Sequence, residues 1–316
     1  MAFCTKIDYF RLALFISVMT NFNTYDVIDL CIKKLSSLND IQVVLKSSQI
    51  LGGGCINQAL RITTSAGDFF VKWNASAPPD MFAKEAAGLA EMHQSNNPFL
   101  KIPNVIWHKE ADEVPGILIL EHLASAAATQ GFDRRFGKGL ANLHRKTFSA
   151  FGFHHPNYCG TTVQDNTWTN SWPEFFAQRR IWALVQQIRT WRGMSVDELI
   201  IYEKLVAKMS QLLAHQPVPS LIHGDLWSGN FMYTSKGPAL IDPACYYADR
   251  EMELGLMQLF GGFSHQIWEA YQDEFPLPED WQKRISLYQL YHLLNHFLLF
   301  GGSYGRQALE IAREYL

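Results

Sequence analysis

Apolar residues between 25 and 38 fall at Val27, Ile28, Leu30, Cys31, Leu35 and Leu38, a spacing that follows the turn of an α-helix. The rhythm then changes. Residues 41–45 form a short β-type run, Gly52-Gly53-Gly54 interrupts the chain, and 59–64 and 69–73 follow as two further β-rich runs. Ser65-Ala66-Gly67-Asp68 between them has the composition of a tight turn and predicts a hairpin. Pro78-Pro79-Asp80 opens a helix whose Phe82, Ala86, Leu89, Ala90 and His93 share one face, with proline at the start, where its missing N–H costs nothing. Residues 105–108 and 116–123 read as two more strands. The predicted order over 41–123 is strand, glycine loop, strand, strand, helix, strand, strand.

Beyond Leu123 the pattern becomes helical. The small-residue segment 124–131 has the make-up of a linker. Phe136, Leu140 and Leu143 repeat at helical spacing, and Leu199, Tyr202, Leu205, Val206, Met209, Leu212 and Leu213 mark a longer amphipathic helix. Residues 287–300 are apolar and aromatic nearly all round, which predicts a buried helix. The stretch 152–169, rich in Gly, Asn, Thr and His, carries neither periodicity, and long irregular segments in compact domains tend to be functional. The division that follows is an N-terminal extension (1–24), a sheet-bearing lobe (25–123) and a helical lobe (124–316).

Bulk properties narrow the setting without naming a partner. A chain of 316 residues with 48% hydrophobic and 18% charged residues matches an ordinary globular protein. The net charge of −3 and the absence of a Lys/Arg cluster exclude nucleic acid as an expected partner. Cys4, Cys31, Cys55, Cys159 and Cys245 are scattered and odd in number, which argues against a disulfide framework and for a reducing, cytoplasmic setting. Residues 9–19 resemble a signal h-region, but the run is short, Arg11 interrupts it, and no Ala-x-Ala site follows. We read 1–24 as a non-secreted extension, with Met19 as a candidate start. No run reaches the ~18 apolar residues that span a bilayer, so no membrane partner is expected.

The chemistry sits in two short segments. Residues 222–230 read Ile-His-Gly-Asp-Leu-Trp-Ser-Gly-Asn, and 240–243 read Leu-Ile-Asp-Pro. An Asp, an Asn five residues on, and a second Asp ending an apolar run form the acid set of kinase-like phosphotransferases. Asp225 would accept or orient the attacking hydroxyl's proton. Asn230 and Asp242 would hold Mg²⁺ through hard oxygen atoms. Gly224 stands where protein kinases carry Arg, which points to small-molecule kinases. Gly52, Gly53 and Gly54 would let backbone amides approach the phosphates of ATP. Lys72, ending the run Phe69-Phe70-Val71, would contact the nucleotide and pair with a helix carboxylate. Glu85 is the expected partner, with Glu91 as competitor. Glu121 and Leu123 would line the linker beside adenine. Cys55, following the glycine run, is a candidate redox-sensitive thiol, because backbone amides that hold phosphates also favour a thiolate. The expected fold is α+β, two-lobed and protein-kinase-like, with a small antiparallel sheet and one main helix in the first lobe.

The segments Gly-Gly-Gly-Cys-Ile-Asn (52–57), His-Gly-Asp-Leu-Trp-Ser-Gly-Asn (223–230), Ile-Asp-Pro-Ala (241–244) and Asp-Arg-Glu-Met-Glu-Leu (249–254) resemble the fructosamine kinase (ketosamine 3-kinase) family, from about residue 25 to the C-terminus. Aminoglycoside and choline kinases are similar in the Asp/Asn/Asp set but commonly have His where this chain has Trp227. The resemblance implies ATP-dependent phosphorylation of the 3-hydroxyl of a ketosamine, whose product eliminates and frees the amine, as in protein deglycation. It also implies a redox-controlled, disulfide-joined dimer through Cys55, beside a monomer as the alternative. For a polyhydroxylated, cationic acceptor we expect Trp227 to stack on the sugar, Asp249 and Glu253 to meet hydroxyl or ammonium groups, and Trp168 and Trp172 to border the cleft. Two alternatives stay open: a kinase of another hydroxylated amine, and a catalytically silent kinase-like binding protein.

Overall fold

Strand β5 (Gly116–Glu121) shows how the sheet-bearing part is organised, because its alternating side chains serve two cores. Ile117 and Ile119 point to one face, where they meet Val27, Ile28, Cys31 and Leu35 of helix α1 (Thr24–Asn39). Leu118 and Leu120 point to the other face and join the large core shared with the helical part. Both sets are fully or nearly fully buried. The computed structural model that gives this picture describes residues 23–52, 57–109 and 115–316. The expectations for residues 1–22 and for Gly53, Gly54 and Cys55 therefore lie outside the described residues.

The sheet has five antiparallel strands in the order β1-β2-β3-β5-β4. The remaining four are β1 (Leu45–Leu51), β2 (Gln58–Thr64), β3 (Gly67–Asn74) and β4 (Val105–His108). Helix α2 (Met81–His93) crosses between β3 and β4. A capping box closes the start of α1: Asn23 accepts from the Tyr25 and Asp26 backbone N–H groups, and the Asp26 carboxylate accepts from the Asn23 N–H. The predicted hairpin turn is present between β2 and β3.

Several boundaries differ from the sequence reading. The first strand starts at Leu45 and not at 41, because its ladder with β2 begins at the Leu45–Thr64 pair and 41–44 is a connector. On α2 the buried face is Met81, Phe82, Ala86, Gly88, Leu89, Glu91 and Met92, while Ala90 and His93 face water. The face turns because α2 packs on the sheet and the helical part together, so two stripes are covered.

The helical part contains α3 (Phe132–His144), α4 (Ala183–Trp191), α5 (Val196–Leu212), α6 (Glu251–Phe260), α7 (His265–Glu274), α8 (Ile285–Phe300) and α9 (Tyr304–Glu314). A π-helical stretch, Phe175–Trp182, leads into α4. Short two-stranded ladders pair β8 (Ser220–Ile222) with β11 (Tyr246–Ala248) and β9 (Phe231–Thr234) with β10 (Gly237–Leu240). The stretch 152–169 is not wholly irregular: β6 (Asn157–Cys159) and β7 (Thr162–Gln164) form a hairpin within it. Its strands are too short to show periodicity. Helix α8 is buried through Asn295, but its last turn emerges, with Phe300 54% exposed. No helix among the described residues is long and apolar enough to cross a membrane.

The two-sided use of the sheet yields a stability prediction. Ile119→Ala empties the space between α1 and the sheet and should cost about 2–5 kcal/mol in chemical denaturation. An equal stability of variant and wild type would show that α1 is not part of the cooperative fold.

Candidate active site

Period-two alternation in β3 delivers the first functional side chain. Val71 and Trp73 bury against the α1 core, so Lys72 between them points to the opposite face, in register with Ala59 and Leu118. There its ammonium group meets Glu85 of α2 at 2.9 Å and Asp242 at 2.8 Å. Glu85 is thus the partner of Lys72. Glu91 instead binds Lys146 at 2.9 Å and the Tyr247 hydroxyl at 2.7 Å. Burial alone would lower the Lys72 pKa, but Asp242 and then Glu85 outweigh it and hold the group protonated above its ordinary range.

The loop after β8 carries Asp225. Gly224 has φ +83°, and a Cβ there would come within 2.3 Å of the Ala244 carbonyl oxygen. This close approach brings the 223–225 turn against the segment after Asp242, and it explains why no side chain stands at 224. Glu253 holds the turn from below: its carboxylate accepts the backbone N–H of His223 and, at 3.1 Å, that of Gly224. His223 Nε2 donates to the Ile241 carbonyl at 2.8 Å, and burial keeps its pKa below the usual value, so the ring is a neutral strut. Asn230 donates to the Asp225 carbonyl oxygen at 2.8 Å and to its carboxylate at 3.3 Å. Asp242 follows β10 in the left-handed region at φ 56°.

Withdrawal from water, followed by the charges of Asp242 and Glu253, pushes the Asp225 carboxyl up to about 8. Two carboxylates facing one space with an amide oxygen beside them form a set of hard oxygen donors. Their mutual repulsion is what a bound divalent cation would relieve, and Mg²⁺ fits this donor chemistry.

These groups floor a cavity of about 970 Å³ between the sheet and the helical part. One end is an apolar slot of Leu51, Ala59, Leu120, Leu123, Met232 and Ile241, with Gly52 at its rim. Glu121 also borders it, but its carboxylate turns to Lys236 at 3.0 Å and Asn104 at 2.8 Å. The other end is aromatic. Trp227 is 40% exposed, its indole lying over Gly229, where a Cβ would come within 2.2 Å of the ring. Phe260, His296, Phe300 and Tyr304 complete this wall. None of the four is among the expected site residues: His296 and Phe300 end a helix expected to be buried, and Phe260 and Tyr304 lie on helices that no periodicity marked; the signal available was the emergence of an all-apolar helix at Gly301-Gly302.

Four expected site residues are placed elsewhere. Asp249 is 2% exposed and points inward, accepting from Tyr288 at 2.5 Å and meeting His215 Nε2 at 2.6 Å, with the Glu251 N–H capped by its other oxygen. Glu253 is 1% exposed and is spent on the 223–224 turn. Neither reaches the cavity. Trp172 is core, bonded through its indole N–H to Tyr288, and Trp168 stacks on Phe148 at 4.5 Å away from the cleft.

The family profile described as fructosamine kinase matches residues 28–316. A protein-ribulosamine 3-kinase, chloroplastic, of Arabidopsis thaliana is 39% identical over 275 residues, covering 84% of this chain and 81% of that protein. A Haemophilus somnus structure assigned to fructosamine-3-kinase superposes with TM-score 0.80 at 27% identity, covering 90% of this chain and 96% of that one. An aminoglycoside phosphotransferase in ternary complex with AMP-PNP and hygromycin B shares the protein-kinase-like fold, with TM-score 0.59 at 15% identity over 90% of this chain and 97% of that one.

The Asp225 environment predicts a stability signature. A carboxyl whose folded pKa is raised makes its full contribution below the unfolded pKa and loses it as pH rises through the folded value near 8. Asp225→Asn removes that loss, so it should raise the melting temperature by a few degrees at pH 8 and leave it unchanged under acid conditions. Equal melting of the two proteins at pH 8 would refute the buried-charge account.

Proposed function

Because this chain belongs to the fructosamine kinase family, we propose that it transfers the γ-phosphoryl group of ATP to the 3-hydroxyl of a ketosamine, the class represented by fructosamine and ribulosamine. The observation that carries this reading is the convergence of Lys72, Glu85, Asp242, Asn230 and Asp225 in one cavity, with an apolar slot on one side and an aromatic wall on the other.

In this reading adenine enters the slot beside Leu123 and Met232, and Gly52 faces the phosphates. Lys72 exchanges part of its contact with Asp242 for phosphate oxygens, while Glu85 keeps it aimed. Asn230 and Asp242 would hold Mg²⁺, which neutralises developing phosphate charge when bound. Asp225 accepts the acceptor hydroxyl's proton as the new P–O bond forms and the bond to ADP breaks. Asn230 orients its carboxylate for that step. Trp227 offers an indole face to the C–H side of the sugar. Because the aromatic wall is open to solvent at Phe300 and Trp227, the amine can remain attached to a bulky carrier. That geometry supports an acceptor on a protein, and with it a role in deglycation. We read 25–123 as the nucleotide-binding lobe and 124–316 as the catalytic lobe.

The described cysteines Cys31, Cys159 and Cys245 are buried free thiols, which supports a reducing compartment such as the cytosol. For Cys55 we propose what the resemblance implies, two chains joined through it under oxidising conditions, seen as a dimer on a non-reducing gel that Cys55→Ser abolishes; a monomer on that gel would leave the chain unlinked.

Turnover tests the main reading. An ATP-consumption screen over ribulosamine, fructosamine, aminoglycoside and choline acceptors should favour the ketosamines; activity confined to aminoglycosides or choline would redirect the assignment. Asp225→Asn should lower kcat by roughly 10²–10⁴-fold while nucleotide binding persists. In the wild type, kcat/KM should rise with pH towards a plateau above about 8, the value at which the free Asp225 gives up its proton. A profile flat across that range would remove Asp225 as the base.

A further inference from the structure

Asp80 stands at the N-cap of α2, where an Asp side chain ordinarily accepts a backbone N–H from the first helical turn. Here it makes no such bond. Its carboxylate instead accepts from the Tyr158 hydroxyl at 2.5 Å and faces the Lys84 ammonium, four residues on, at 3.8 Å. Tyr158 belongs to the β6–β7 hairpin of the helical part, so this bond spans the cleft.

The hairpin is itself rigidly seated. Asn157 donates to the Cys245 carbonyl at 2.9 Å, and Gln164 donates to the Ala244 carbonyl at 3.2 Å and to Asn157 Oδ1 at 2.9 Å. Asn166 adds a bond to the same Asn157 oxygen at 2.8 Å, and the Tyr291 hydroxyl binds Gln164 at 2.8 Å. Residues 244 and 245 follow Asp242 by two and three positions. The contacts therefore close a circuit. It runs from Asp242 through the 244–245 backbone to Asn157 and Tyr158, across to Asp80, along α2 to Glu85, and through Lys72 back to Asp242.

We propose that Tyr158 is a positioning residue for the nucleotide clamp: its hydroxyl, fixed relative to Asp242, holds the N-terminal half of α2 so that Glu85 keeps Lys72 aimed. The C-terminal half of the helix has its own anchors, the Cys245 thiol on the Gly88 carbonyl at 3.6 Å and Tyr247 and Lys146 on Glu91. Glu85 lies nearer the Asp80 end, where Met81 and Phe82 pack the first turn into the interior and the Tyr158 bond adds a directional tie from that turn to the helical part. The inference rests on the kinase reading of the clamp.

The test is titration of the full chain with Mg·AMP-PNP, alongside thermal melts, for wild type, Tyr158→Phe, Asp80→Ala, Asp80→Asn and the Tyr158→Phe/Asp80→Ala double variant. Losing one hydrogen bond to a charged acceptor should weaken binding roughly three- to tenfold in Tyr158→Phe and in Asp80→Ala. The double variant should match either single one, since both remove the same link. Asp80→Asn keeps an acceptor oxygen and should bind as wild type does. A merely structural role would lower the melting temperature in step with affinity, so loss of affinity at unchanged melting temperature separates the two. Wild-type affinity in both Tyr158→Phe and Asp80→Ala overturns the proposal and leaves the kinase reading intact. Failure of the wild type to bind Mg·AMP-PNP overturns the kinase reading first, and this proposal with it. Should Tyr158→Phe not fold, Asp80→Ala against Asp80→Asn decides alone, because Asp80 is partly exposed at the helix start.

Discussion

The ammonium group of Lys72 is where three separately formed segments meet. Strand β3 supplies it, α2 answers with Glu85, and the loop after β10 answers with Asp242. Burying one cation is costly unless it is paired, and here two carboxylates share the task. This makes the ion cluster a constraint on the whole arrangement. The sheet, the helix and the helical part must each sit where the charges require, or a buried charge is left without a partner.

The same reasoning governs the floor of the cleft. Asp225 and Asp242 face one space, and Glu253 lies beneath them. Lys72 balances Asp242, but withdrawal from water and then the charges of Asp242 and Glu253 still raise the Asp225 pKa. The fold tolerates it by spending Glu253 on two backbone N–H groups and by fixing Asp225 with Asn230. A site strained in this way is one that a cation and a phosphorylated ligand would relax, which is the direction in which a phosphotransferase must be biased.

Much of this was legible in the chain itself. Lys72 could be placed because period-two alternation leaves no freedom once Val71 and Trp73 are committed to the core. Asp225, Asn230 and Asp242 were legible because their spacing is dictated by one short loop and one hairpin. The misreadings share a cause. Asp249 and Glu253 lie close in sequence to Asp242, but nearness along the chain does not bring them to the cavity. The chain reverses there, so both enter the interior. Likewise 152–169 hides a hairpin whose strands are shorter than any period can reveal.

By itself, then, the sequence determined the order of strands and helices in the sheet-bearing part, the identity of the charged groups, and the class of chemistry. These depend on local spacing, which the backbone converts into geometry with little choice. The tertiary structure decided which carboxylates reach solvent in the cleft and which serve as struts. It also built the aromatic wall, from the ends of α6 and α8, the start of α9, and Trp227. Finally, it joined Tyr158 to Asp80, residues 78 apart in sequence. Such pairings depend on how whole elements pack, and packing is set by the sum of many contacts that no short segment contains.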